Sequence, residues 1–398
     1  MDILLLGLLL VLGLLAGTFG SSLLGMPRVL GYLLVGIAFS PSLLGGLLSL
    51  DLEGAIEPMV AVALGAIAFL VGGSATVDQL RRLGTTITGA TLGKVLGAFV
   101  AIFALFLILA PLSEARANLQ LAVVLAAIGT ITAPATLIAV VHQYRASGPL
   151  TTTLLGMVAL DDALGIVLFS LALALVGSAT LAEALPLAVW EITGALGTGA
   201  GAGWLAERLL RRLHEHELRM VLLVGAIVLL VGLAEAAHFS PLLAAMTFGF
   251  VARWAGGPRA DRVFEPVEQL EELLFVLFFA LAGLHFSLEQ VMDNLWLILG
   301  FFAVRAAGQM VGGFFGARAV GAGPVIANHV GLGMLPQGGV AIGMALMVAG
   351  APGFEEVGAL VVNVVTASTI LTESLGALAA RYGLHRAGEL GRGFRNGH

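Results

Sequence analysis

Apolar runs separated by short polar breaks divide the chain into thirteen predicted helices, near residues 2–19, 28–40, 55–77, 85–110, 118–142, 150–176, 183–209, 218–236, 241–254, 268–286, 294–319, 328–349 and 356–382. A helix needs roughly 20 apolar residues to cross a bilayer core, and most of these runs approach or exceed that length. The second and ninth are short and fit tilted or partly buried segments. The pattern predicts an all-α integral membrane protein with about 13 transmembrane helices.

Composition agrees. Of 398 residues, 59% are apolar and 11% charged, against about 25% charged in soluble domains. The 54 glycines suit helices whose backbones approach closely. The absence of cysteine excludes disulfides, thiolate metal sites and thiol redox control. The run Met1 to Phe19 carries Asp2 and no basic leader, so it reads as a first span rather than a cleaved signal.

The net charge of −6 is less informative than its placement. With the N-terminus outside, the cytoplasmic loops hold Arg28; Arg81 and Arg82; Arg145; Arg208, Arg211, Arg212 and Arg219; Arg253, Arg259 and Arg262; Arg318; and a tail with Arg381, Arg386, Arg392 and Arg395. The opposite loops hold Arg116 among Asp51, Glu53, Glu57, Glu114, Glu183, Glu289, Asp293, Glu355 and Glu356. That bias obeys the positive-inside rule and supports thirteen spans with a cytoplasmic C-terminus.

Lys94 and Arg305 fall inside the fourth and eleventh spans, which are seven apart. The fifth and twelfth spans, also seven apart, both contain proline: Thr130-Ile131-Thr132-Ala133-Pro134-Ala135-Thr136 and Met334-Leu335-Pro336-Gln337-Gly338-Gly339. Proline breaks a helix, and broken backbone at membrane depth must line a cavity or be buried in protein. An odd offset reverses orientation, so the pattern predicts inverted-topology repeats with two crossed discontinuous helices, the arrangement of a transporter binding site. The seventh span is then the linker between repeats.

Asp161 and Asp162 stand side by side inside the sixth span. Intramembrane carboxylates are costly and usually functional, and each raises the other's pKa. Neighbouring helix positions point about 100° apart, so one carboxylate faces a cavity and the other a neighbouring helix. A carboxylate that holds a proton or a small cation in turn couples their movements. Arg305 is the expected counter-charge for Asp161, because arginine stays protonated and makes forked hydrogen bonds. Lys94 is a candidate mirror-repeat equivalent, with a structural role preferred, as a snorkelling lysine or a bridge to backbone carbonyls. Thr130, Thr132 and Thr136 offer hydroxyls to the broken helices and Gln337 an amide, with Pro134 and Pro336 marking the breaks. Glu373, late in the last span, is expected to face water, and the eight histidines read as surface groups near helix ends.

On these residues the chain resembles the bacterial sodium/proton antiporters of the cation:proton antiporter-2 group. Ala159-Leu160-Asp161-Asp162-Ala163-Leu164-Gly165 is similar to that group's sixth-helix motif. Leu30-Gly31-Tyr32-Leu33-Leu34-Val35-Gly36-Ile37 resembles its opening segment, Asp78-Gln79-Leu80-Arg81-Arg82-Leu83-Gly84 its third-helix exit, and Gly331 to Gly339 its second crossover. The resemblance implies the sodium/proton antiporter fold and a homodimer. Residues 1–84 and 213–290 would form a dimerisation domain and 85–178 and 291–383 a mobile core moving like an elevator, with 179–212 as linker and 384–398 as cytoplasmic tail. It also implies that Asp162 binds the ion, that Asp161 is its partner, and that Thr132 is a crossover threonine. Two departures matter. Ala133 stands where some members carry a carboxylate, and Arg305 where electrogenic members carry a lysine. An arginine does not give up a proton, so Asp161 is expected to stay paired and Asp162 alone to exchange, one proton per monovalent cation.

The expected function is antiport of protons against Na⁺, with Li⁺ or K⁺ as further candidates, in the prokaryotic cytoplasmic membrane, with no cofactor and no nucleic-acid partner. An organic-anion/sodium symporter of similar architecture would show sodium-dependent solute uptake without proton counterflow; a potassium/proton efflux unit is a third reading. An intramembrane aspartyl protease needs two aspartates from different helices, which adjacent positions do not give. A channel would lack saturating turnover.

Overall fold

A computed structural model describes residues 2–24, 28–44, 53–74, 84–109, 114–177, 181–213, 215–257, 260–284 and 286–391. The Asp78 to Leu83 turn lies outside them. Regular structure among the described residues is entirely helical: α1 (Asp2–Leu24), α2 (Arg28–Ala38), α3 (Glu53–Ser74), α4 (Thr85–Leu109), α5 (Ala115–Ile128), α6 (Pro134–Gln143), α7 (Pro149–Gly177), α8 (Leu181–Leu210), α9 (His216–Ala236), α10 (Pro241–Gly256), α11 (Asp261–Glu268), α12 (Glu271–Leu284), α13 (Leu288–Asp293), α14 (Leu295–Ala319), α15 (Pro324–Gly333), α16 (Gly339–Gly350) and α17 (Gly358–Arg386). Six of these (α1, α4, α7, α9, α14 and α17) are long and apolar enough to cross a membrane.

Each predicted span has a helical counterpart. The two proline-bearing spans are each divided, into α5 and α6 and into α15 and α16. Pro134 opens α6, where the missing N–H costs nothing. Pro336 lies within the second break. The tenth span differs from expectation. A short α11 precedes α12, with Gln269 and Leu270 between them in a turn.

Helices α4–α7 and α14–α17 pack around the two breaks, while α1–α3 and α8–α12 pack on one another beside them. The closest contact is an antiparallel seam between α4 and α14. Gly89, Gly93 and Gly97 face Gly316, Gly312 and Gly308 in that order; a Cβ at Gly89 would strike the Val320 side chain, and a Cβ at any of the other five the facing backbone. Three glycines spaced by four on each helix let the two backbones touch. Gly312→Val is therefore expected to lower stability by about 1–3 kcal/mol through overpacking, measured by thermal unfolding in detergent. Gly300→Ala on the same helix, where a Cβ meets only Leu105 Cδ2 at 3.5 Å, should stay within about 0.5 kcal/mol.

The start of α7 is held from the end of the chain. Glu389 accepts hydrogen bonds from Leu150 N at 2.8 Å and from Thr151 N and Oγ1 at 2.7 Å each. A carboxylate at a helix N-terminus satisfies orphan donors and complements the dipole. It anchors the helix that carries both aspartates.

Candidate ion-binding site

The two breaks cross at the centre of the α4–α7 and α14–α17 group. Residues 131–133 run against residues 334–337. Ala133 N donates to Pro336 O at 2.9 Å, Thr132 Oγ1 to Met334 O at 2.9 Å, and Gln337 Nε2 to Ile128 O at 3.2 Å. These bonds replace part of the helical pairing that the breaks remove.

The carbonyls freed at the end of α5 form a negative pole, and two cations meet it. Arg305, from α14, donates Nε to Gly129 O at 2.9 Å, Nη2 to Ile131 O at 2.8 Å and Nη1 to Leu335 O at 2.7 Å. Lys94, from α4, donates to Thr130 O. Gln309, with its amide oriented to satisfy both ends, donates to Met334 O at 2.9 Å and accepts from Arg305 Nη2 at 3.1 Å. Lys94 and Arg305 thus both lie against crossover carbonyls. The part taken by Gln309 was not anticipated.

The counter-charge of Asp161 is a correction. Lys94 Nζ lies 2.7 Å from both Asp161 oxygens and 2.8 Å from Thr132 Oγ1, and Thr132 N donates to Asp161 Oδ2 at 2.8 Å. Both side chains of the pair are fully buried. Arg305 does not reach Asp161 as a partner because its planar fork is filled by three divergent carbonyls. A point-charge ammonium suits the two oxygens of one carboxylate better.

Asp162, one position further round α7, takes the other direction. It lines a cavity of about 350 Å³ between the two packing groups, walled by Ile67, Leu70 and Val71 of α3, Phe275 and Phe279 of α12, and Thr132, Pro134, Thr136 and Gly338 of the crossover. Its Oδ1 is buried and has no hydrogen-bond partner among the described residues. Asp161 is thus neutralised and tied, while Asp162 faces open space.

The threonines divide. Thr130 Oγ1 bonds back to Ala127 O at 2.7 Å within its own helix, and only its carbonyl serves the site. Thr132 links both breaks to Asp161. Thr136 donates to Glu373, which supplies a second correction. Glu373 is buried, at 1% exposure, and lines the same cavity. It sits midway along α17, which continues to Arg386, and its side chain packs against Thr136 and Gly338. Among the described residues no histidine lines the cavity. His214, His285 and His398 lie outside those residues.

A family model described as sodium/hydrogen exchanger, transmembrane, matches residues 8–380. The Na(+)/H(+)-K(+) antiporter GerN of Bacillus cereus is 24% identical over 337 residues, covering 80% of this chain and 81% of GerN. Among solved structures, the sodium proton antiporter MjNhaP1 from Methanocaldococcus jannaschii at pH 8 superposes with a TM-score of 0.75 at 22% identity, covering 96% of this chain and 99% of that one. A structure of MjNhaP1 from electron microscopy gives 0.72 at 21%, covering 98% of each chain. At those identities the structural likeness speaks for the fold.

Proposed function

The chain belongs to the transmembrane sodium/hydrogen exchanger family, and from that premise we propose that it exchanges protons for Na⁺ in competition at Asp162. Membership makes it an integral membrane cation/proton antiporter rather than an enzyme, and sets aside the organic-anion/sodium symporter. The observation that carries the finer reading is the asymmetry of the aspartate pair. Asp161 is already neutralised by Lys94, so Asp162, buried with an oxygen unpartnered against a cavity, is the group left to take a cation or a proton. A buried carboxylate without a counter-charge is costly unless something neutralises it, and either ion does so.

In this reading Li⁺ and K⁺ are alternative cargoes, the latter supported by the name of the GerN relative. The α4–α7 and α14–α17 group is the transport core. It moves like an elevator against a dimerisation domain built from α1–α3 and α9–α12 in a homodimer, with α8 as the linker. Arg305 and Lys94 hold the crossover rather than the cargo. The arginine bias puts the N-terminus outside and the C-terminus in the cytoplasm.

The test is cation-dependent proton flux. Everted vesicles carrying the protein, acidified and loaded with a pH-sensitive dye, should dequench on addition of NaCl, with a rate that saturates as Na⁺ is raised. Dequenching that never exceeds vesicles without the protein, for Na⁺, Li⁺ and K⁺ alike, would refute the reading.

A further inference from the structure

Two further carboxylates line the cavity of Asp162: Glu271 of α12, which is half-buried, and Glu373, which is fully buried and for which the crossover has no use. Glu373 Oε2 accepts from Thr136 Oγ1. Among the described residues its buried Oε1 has no hydrogen-bond partner, and Glu373 enters no ion pair. Space is kept for that oxygen, because a Cβ at Gly338 would stand 3.0 Å from it. A glutamate whose role was only to brace a helix would have both oxygens bonded, since an unmet buried acceptor costs free energy.

The charges of the region point the same way. Five ionisable side chains are buried around the crossover and its cavity: Lys94 and Arg305 against Asp161, Asp162 and Glu373, each at 3% exposure or less. Two positive charges against three negative leave the cluster one positive charge short. Arg305 lies within electrostatic reach of both Asp161 and Glu373, but its hydrogen bonds go to carbonyls. A low-dielectric site favours neutrality, and one monovalent cation or one proton supplies it. A divalent cation would overshoot.

We propose that Glu373 is the second carboxylate of the cation site, sharing a monovalent alkali cation with Asp162 and leaving the five buried groups neutral with one bound cation or one bound proton. Carboxylate and hydroxyl oxygens from Asp162, Glu373 and Thr132 are hard donors suited to such an ion. When the cation leaves, a proton binds a carboxylate oxygen of Asp162 or Glu373 in its place, so exchange is one for one and moves no net charge. This rests on the reading of Asp162 as the exchanging group.

The experiment uses the full chain in proteoliposomes and in detergent, with NaCl, LiCl and KCl as probes. Wild-type exchange should be unaffected by a membrane potential clamped with potassium and valinomycin. Glu373→Gln should raise the half-saturating Na⁺ concentration roughly tenfold or more, as loss of a unit charge close to the cation implies, with a smaller change in maximal rate. It should also abolish the Na⁺-dependent rise in unfolding temperature. Glu373→Asp should keep exchange but reorder the preference among the three cations. A Glu373→Gln protein with wild-type half-saturation and wild-type stabilisation by Na⁺ overturns the proposal while leaving Asp162 in place, as does potential-driven exchange by the wild type. If Asp162→Asn still exchanges normally, the reading beneath it fails as well. Should Glu373→Gln not fold, Glu373→Asp decides, and an unchanged cation order overturns the proposal.

Discussion

An Asp162→Asn protein folds, inserts and no longer couples cation addition to proton movement. Asparagine preserves the shape of the side chain and removes its charge, so the packing of α7 against the crossover is kept and only the attraction for a cation is lost. Leaving a buried charge without its partner costs about 3–5 kcal/mol. At 1.4 kcal/mol per tenfold, cation affinity should fall roughly 10²- to 10³-fold, beyond the reach of practical salt concentrations. The measurement is dye dequenching in everted vesicles across a wide range of Na⁺, with expression and unfolding temperature as controls. A residual rate of half the wild type at ordinary Na⁺ would show that Asp162 is not where the ion sits.

The second large effect falls on stability. Lys94→Met leaves Asp161 buried and charged without its cation, with one hydrogen bond from Thr132 N remaining, and removes the donor to Thr130 O. The expected loss is about 3–5 kcal/mol, seen as a large drop in unfolding temperature in detergent. Pairing it with Asp161→Asn should recover most of that loss, because the two residues form one unit and their effects are not additive. If Arg305 rather than Lys94 neutralised Asp161, Lys94→Met would be mild and the second substitution would add to it. Because the partner is a lysine, one-for-one exchange can no longer be argued from the arginine at 305. It rests instead on the charge balance of the five buried groups.

Much of this was legible in the sequence because membrane depth makes a few residues expensive. Two prolines in matching spans announced the broken helices, and two adjacent aspartates in an apolar run announced the site. Lys94 and Arg305 were recognisable as the cations near the breaks for the same reason. Which of them meets Asp161 was not legible. The choice depends on how α4 and α14 are rotated about their axes, and helices that are apolar on all sides carry no polar stripe to fix that rotation. Glu373 was misplaced because its position in the last span does not say which way the side chain points, and burial comes from packing against Thr136 and the second break. The glycine seam was written plainly, at spacings of four on both helices, but it was hidden among 54 glycines.

That seam also bears on the movement proposed for the ion pocket. Where two backbones touch over successive turns there are no side chains to bend, so neither helix can slide or roll past the other without parting. Lys94 rides on one and Arg305 on the other, and each grips carbonyls from the broken segments. A displacement of the pocket through the bilayer would have to carry both halves as a single block. The yielding surfaces would then be those where α7 and α16 face α3, α8, α10 and α12.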